Sequence, residues 1–178
     1  MANGITYWAR AVGAARTRDL EAARANIAKL ESIRDALLQS KKQDGADTLE
    51  IMRLEAAGWT AFAAGQKDDA LRLLRASADL EDRTDKHPVT PGPVLPAREQ
   101  LADLLAELHS PGEALVEYKA SLQTSPNRFN SLLGAARSAE AAGNSAEAKQ
   151  LYAKLRQIAP NADPELLRNP GQYVAVKD

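Results

Sequence analysis

The sequence predicts an all-α protein built as an array of about four antiparallel helix pairs. One segment repeats at an offset of 34 residues, which is the length of a helix–turn–helix unit. The matching positions are Ala114, Tyr118 and Pro126, and then Ala148, Tyr152 and Pro160. Apolar residues recur at helical spacing almost everywhere outside one proline-rich stretch, and no alternating strand pattern competes with them.

Caps and turn residues divide the helical pattern into pairs at about 5–40, 47–82, 96–125 and 128–159. Asp19 is a predicted N-cap, and glycine suits the left-handed turns at Gly65 and Gly143. Ser110 begins a capping box with Pro and Glu behind it. A break is expected at 41–45. We expect a single repeat domain over 1–178, with a short turn at 163–165 inside a C-terminal tail, 161–178.

A proline-rich connector, 83–95, separates the second and third pairs. The stretch RTDKHPVTPGPVLP has four prolines in fourteen residues and cannot be helical. Its Pro88-x-x-Pro91 spacing suits an SH3- or WW-type reader, but a stiff surface connector is the favoured interpretation.

Composition limits the function. The net charge is −1 and the pI about 6.2, so nucleic acid is disfavoured as a partner. The absence of cysteine removes disulfides, thiolate chemistry and Cys-based zinc sites. No apolar run is long enough for a membrane span. We expect a soluble protein, cytoplasmic or periplasmic, that could be part of a longer one.

The repeated pattern resembles the second half of a tetratricopeptide repeat (TPR), with a small Ala, an aromatic four residues on, and Pro eight residues later. Gly58 and Ala70 suggest a further repeat upstream. The resemblance implies a right-handed superhelix that acts as a non-catalytic protein- or peptide-binding scaffold. The stretch KHPVTPGPVLPARE, with its flanking repeats, also resembles the C-terminal TPR region of larger bacterial TPR proteins of unassigned function.

In TPR arrays the first helix of each repeat lines a concave groove, so matching positions can be carried over. They are Trp8, Val12, Glu55, Trp59, Phe62, Glu99, Asp103, Glu107, Asn130, Leu133, Arg137 and Glu140. Trp59 and Phe62 would be anchors, and the carboxylates Glu99, Asp103 and Glu107 would form an exposed stripe that selects basic or basic-apolar partners. A merely solubilising face is the favoured alternative for this stripe. Packing of Trp8 and Trp59 between neighbouring helices is an equal alternative.

Catalysis is not expected, and neither a cofactor nor a metal is implied. His87 and His109 lie in a loop and a turn, without metal-ligand spacing. The pair Asp68–Asp69 suits a helix N-terminus, and Glu81–Asp82 a solvated face. A hydrolase or metal site built from groove carboxylates, a plain helical bundle and a homo-oligomerisation module are the alternatives.

Overall fold

A computed structural model describes residues 2–84 and 93–162, and these form helices without any strand. The eight helices are α1 (Ala2–Arg16), α2 (Leu20–Gln39), α3 (Gln43–Ala63), α4 (Lys67–Arg83), α5 (Ala97–Glu107), α6 (Pro111–Thr124), α7 (Phe129–Ala141) and α8 (Ser145–Ile158). The all-α prediction is confirmed, and the bounds of most helices agree with those predicted.

The chain packs as two compact units, residues 1–101 and 102–178, and the division falls inside α5. The single-domain prediction stays a prediction. The predictions for the middle of the proline-rich connector and for the tail beyond Ala162 fall on residues 85–92 and 163–178, which lie outside the described residues.

Helix α3 is the centre of unit 1, because α1, α2 and α4 all pack against it. The apolar core there joins Trp8 and Ala11 of α1 to Leu30 of α2 and to Leu49 and Ala56 of α3. The close approach of α3 to α4 depends on a missing side chain. A Cβ at Gly58 would lie 2.8 Å from Cγ of Leu74.

In unit 2, α7 packs against both α6 and α8. Its core is formed by Leu132, Leu133 and Ala136 of α7 with Leu155 of α8. The repeated alanines are both buried, as their shared place in the 34-residue period predicts. Ala114 is fully buried and Ala148 is 4% exposed. This confirms the predicted burial of both residues.

The turns test the local predictions one by one. Asp19 caps α2 by accepting a hydrogen bond from the backbone N–H of Ala22 at 3.0 Å. Gly65 and Gly143 have φ of +81° and +80°, the left-handed conformation expected after a helix. The capping box is wrong in part, because Ser110 occupies the N-cap but its side chain makes no capping hydrogen bond.

The predicted break at 41–45 is too long. Helix α3 already begins at Gln43 and includes Gly45, so only residues 40–42 form the turn. Lys41 adopts the left-handed conformation there, with φ of +56°. A glycine at position 45 indicated a break, but tertiary packing of α3 against α2 outweighs the modest helix cost of one glycine.

Candidate functional site

The predicted groove residues divide by their exposure. Five of them are almost completely buried, with exposed fractions of 2% to 5%: Trp8, Glu55, Trp59, Glu99 and Leu133. Four are half-buried: Val12, Phe62, Asp103 and Arg137. Glu107, Asn130 and Glu140 are exposed. The helices therefore hold about half of the predicted partner-binding set inside the protein.

Both tryptophans pack inside unit 1, so the packing alternative describes them. Trp8 belongs to the apolar core of α1, α2 and α3. The indole of Trp59 is covered on one face by the Arg16 guanidinium, 4.7 Å from the ring centroid, and Phe62 meets it edge-on at 6.0 Å. A cation over a ring and an edge-to-face pair are both favourable arrangements of an indole.

A buried polar cluster surrounds Glu55, the carboxyl at the centre of α3. Gln100 of α5 reaches into it, and its Oε1 accepts a hydrogen bond from Trp59 Nε1 at 2.9 Å. Gln100 Nε2 and Trp8 Nε1 are buried donors with no hydrogen-bond partner of ordinary geometry among the described residues. Both still lie near enough to Glu55 to act on its charge. This polar cluster consists of Trp8, Glu55, Trp59 and Gln100.

Burial raises the pKa of Glu55 to about 8, because the ionised carboxylate loses its hydration inside the protein. The negative charge of Glu81 adds to this rise, whereas the N–H dipoles of Gln100 and Trp8 reduce it. The balance favours the neutral acid. A buried neutral carboxyl at physiological pH is therefore the main electrostatic feature of unit 1.

Glu81 connects α4 to the start of α5. Its Oε2 accepts a hydrogen bond from the backbone N–H of Ala97 at 2.9 Å, so a carboxylate lies at the N-terminus of α5, where the helix dipole favours anions. Its predicted place on a solvated face is wrong, since it is 8% exposed. The neighbouring Asp82 does remain at the surface, where it pairs with Arg98 at 2.7 Å.

The predicted acidic stripe is not continuous. Glu99 is 2% exposed, so the expectation of a solvent-facing carboxylate at this position is wrong. Asp103 is half-buried and accepts a hydrogen bond from the Tyr118 hydroxyl at 2.5 Å. Glu107 alone among the three is exposed. Consecutive turns of α5 thus place these carboxylates in three different environments.

In unit 2 the positions carried over from the repeat pattern also differ in their solvent exposure. Leu133 is part of the core of α7 and α8, whereas Asn130 is exposed. Glu140 is exposed and accepts a hydrogen bond from the Tyr152 hydroxyl at 3.2 Å. This hydrogen bond joins α7 to α8.

Sequence patterns did not predict Gln100, the capping role of Glu81 or the importance of Gly134. A Cβ at Gly134 would lie 2.3 Å from Cζ of Tyr118, so only glycine leaves room for that ring. A glycine inside a helical pattern is a usable signal of close approach. By contrast, a glutamate that caps a helix sixteen residues later leaves no local pattern.

The described residues offer no site for metal chemistry. Within 2–84 and 93–162, no group of three or more His, Cys, Asp or Glu side chains is placed to hold a metal ion. His109 lies in the turn before α6, with φ of +59°, and His87 is outside the described part of the chain. A surface groove of about 460 Å³ runs along α4 alone, lined by Asp68, Leu71, Arg72, Arg75, Ala76 and Asp79. None of the described helices is long and apolar enough to cross a membrane.

Taken together, the short turns, buried alanines and paired helices define a TPR-like helical-repeat fold. No protein-family model and no protein of curated function matches this sequence. Two solved structures of MamA are similar. One, MamA AMB-1 in crystal form P212121, is 18% identical with a TM-score of 0.50, covering 92% of this chain and 95% of that one. The other is 12% identical with a TM-score of 0.51, covering 90% and 94%.

At these identities the likeness concerns the fold alone. MamA is a TPR-like helical-repeat protein, and the likeness to it covers at least 90% of this chain. The TPR-like prediction is thus confirmed at the level of the fold.

Proposed function

We propose that this protein is a non-catalytic scaffold that binds a protein or peptide in the concave groove of its repeat array. The observation that supports this most is the TPR-like fold, since helical-repeat proteins use extended surfaces for binding.

The burial of the side chains determines which residues are available to a partner. Trp8, Glu55, Trp59 and Glu99 support the groove from within, because side chains at most 5% exposed offer almost no surface. Contact with the partner is assigned to the remaining predicted positions. Those used here are Phe62, Asp103, Glu107, Asn130 and Arg137.

The partner class follows from these side chains. Phe62 is a half-buried aromatic of α3, and aromatic side chains carry much of the binding energy at interfaces. Glu107 supplies an exposed negative charge that attracts cations and repels anions. We therefore propose a basic or basic-apolar segment as the ligand and nucleic acid as a non-ligand.

Site-specific photo-crosslinking tests the groove. A photoreactive amino acid at the exposed position Asn130 on α7 is expected to capture the partner from the native cell. The matched control is Val116 on α6, a second helix of a pair, which is 63% exposed. Adducts that form equally at Val116, or only there, would place binding outside the groove.

Charge reversal then tests the partner class. Glu107→Lys is expected to weaken binding of the captured partner most at low salt, since exposed charges act through screened attraction. Glu21→Lys on the exposed face of α2 is the control with the same change of charge. Equal affinity of both variants and the wild type would remove the electrostatic part of the proposal.

A homo-oligomerisation module is the second candidate, supported by one observation. Ile158, in the last turn of α8, is 38% exposed, and Leu151 and Tyr152 of the same helix are half-buried. Light scattering distinguishes the two functions. Ile158→Lys should lower the mass of a self-associated form, whereas Val116→Lys should not, and a wild-type monomer at all concentrations would exclude this candidate.

A further inference from the structure

Among the described residues, the polar cluster of unit 1 contains no cation of the kind that usually accompanies a buried carboxylate. Glu55 is 2% exposed, and the groups that act on it are Glu81 of α4, Gln100 of α5 and Trp8 of α1. Among these the only charge is the negative charge of Glu81. Buried carboxylates normally have a positive partner. Glu55 is therefore suited to the neutral form.

Cations do lie near α3, but none of them is among the groups that act on Glu55. Arg34 of α2 and Arg53 of α3 both bind the carboxylate of Glu50, at 2.5 and 2.6 Å. Arg16 of α1 lies over the ring of Trp59. Glu99 of α5 is buried as well, yet it is not among the groups that act on Glu55. The described neighbours thus leave the charge of Glu55 uncompensated.

The donors of the cluster are arranged for a change of state. Gln100 already accepts a hydrogen bond from Trp59 at Oε1, which leaves its Nε2 as the donor that acts on Glu55. Trp8 Nε1 of α1 is a second donor that acts on Glu55. Both would bind a carboxylate better than a carboxylic acid. The loss of hydration and the repulsion from Glu81 disfavour the carboxylate, and together they outweigh the two donors in the folded protein.

We propose that the proton on Glu55 acts as a lock on unit 1. While the proton is bound, α1, α3 and α5 pack around the neutral carboxyl. When the proton passes to solvent, the carboxylate draws water into the contact and loosens these three helices. They are the first helices of successive pairs, the same elements to which groove binding is assigned, but the lock needs no partner to operate.

The sign of the pH dependence follows from linkage. The pKa of Glu55 is raised from 4.5 to about 8 in the folded chain. Stability from the protonated form is therefore complete below the unfolded pKa, declines as pH rises above 4.5, and is lost once pH has passed about 8. Mildly alkaline conditions should open the cluster.

The protein carries its own probe, because its two tryptophans, Trp8 and Trp59, both belong to the cluster. Tryptophan fluorescence of the full chain, measured as a function of pH, is expected to show a transition with a midpoint near 8. Quenching by acrylamide should increase across the same transition as water enters. Glu55→Gln should abolish both changes, whereas the control Glu21→Gln on the surface of α2 should keep them.

A second variant keeps the test decisive if Glu55→Gln does not fold. Glu81→Gln retains an acceptor for the Ala97 N–H but removes the repelling charge, so the midpoint should move to lower pH. Carbon NMR of labelled glutamate in the wild type should show one carboxyl titrating well above the others. Titration of all glutamates near the ordinary value would overturn the proposal. So would a transition that survives Glu55→Gln, or one without increased quenching.

Discussion

Gly134→Ala is expected to destabilise unit 2, although alanine is the better helix former. The new Cβ would lie 2.3 and 2.4 Å from Cζ and Cε1 of the Tyr118 ring. Carbon atoms in contact are normally about 3.5–4.0 Å apart, so the ring or the helix must move. The Tyr118 ring has little room to do so. It is 4% exposed, and its hydroxyl is bound to Asp103.

The magnitude follows from two opposing terms. Overpacking of a well-filled core costs about 1–3 kcal/mol. Replacing glycine by alanine inside a helix returns about 1 kcal/mol. We therefore expect a net loss of up to about 2 kcal/mol in the free energy of unfolding, the larger value applying if the Tyr118–Asp103 hydrogen bond breaks.

Urea unfolding followed by far-UV circular dichroism measures this loss. The control is Gly13→Ala in α1, where a Cβ would meet nothing within 4 Å, so only the helix term of about 1 kcal/mol acts and the protein should become more stable. In a Tyr118→Leu background, Gly134→Ala should lose most of its cost, because the clashing ring is gone. If Gly134→Ala stabilises the wild-type chain as much as Gly13→Ala does, the proposed contact between α6 and α7 is refuted.

Three further predictions concern caps, packing and pH. Asp19→Ala should lower the free energy of unfolding by about 1 kcal/mol, because it removes the N-cap of α2. Ser110→Ala should lower it far less, since the Ser110 hydroxyl makes no capping hydrogen bond. Urea unfolding of both variants measures the difference. Ala148→Leu should overpack the buried side of α8 and lower the free energy of unfolding by about 1–3 kcal/mol, whereas Ala146→Leu, at an exposed position, should be neutral. Equal thermal midpoints of the two variants would show that the repeat register is misassigned. Burial alone would raise the pKa of Glu50, but hydrogen bonds and charges from Arg53 and Arg34 outweigh it and lower that pKa. Stability of about 1 kcal/mol should therefore be present above pH 4.5 and lost in acid. Glu50→Gln should flatten the acid limb of the pH–stability curve, and an unchanged limb would contradict a stabilising interaction of Glu50 with the two arginines.

Local sequence patterns predicted the helices well. The caps and turns at Asp19, Gly65 and Gly143 depend on contacts within a few residues, which a linear pattern contains. One wrong prediction is explained by distant contacts, since Gly45 remains helical because α3 packs against α2. Ser110 is a different case, because it lies at the predicted cap position but its side chain makes no capping hydrogen bond.

The candidate site was less accessible to sequence reasoning. Repeat spacing placed Trp8, Glu55 and Trp59 on the first helices of their pairs, but it gave no measure of how deeply each side chain would lie. Glu99 and Glu107 occupy the same face of one helix by spacing and differ completely in exposure. Exposure depends on the elements that pack on that face, and their positions are a property of the whole fold.

By itself, the sequence determined the all-α class, the number and approximate bounds of the helices, and the burial of Ala114 and Ala148. These features follow from a period of 3.6 residues, from short-range caps, and from a repeat in which equivalent positions share an environment. The tertiary structure alone decided that Glu55 would meet Gln100 and Trp8, and that Glu81 would cap α5. Such contacts join residues 16 to 47 positions apart, and their energies depend on mutual burial, which arises only when the helices have packed.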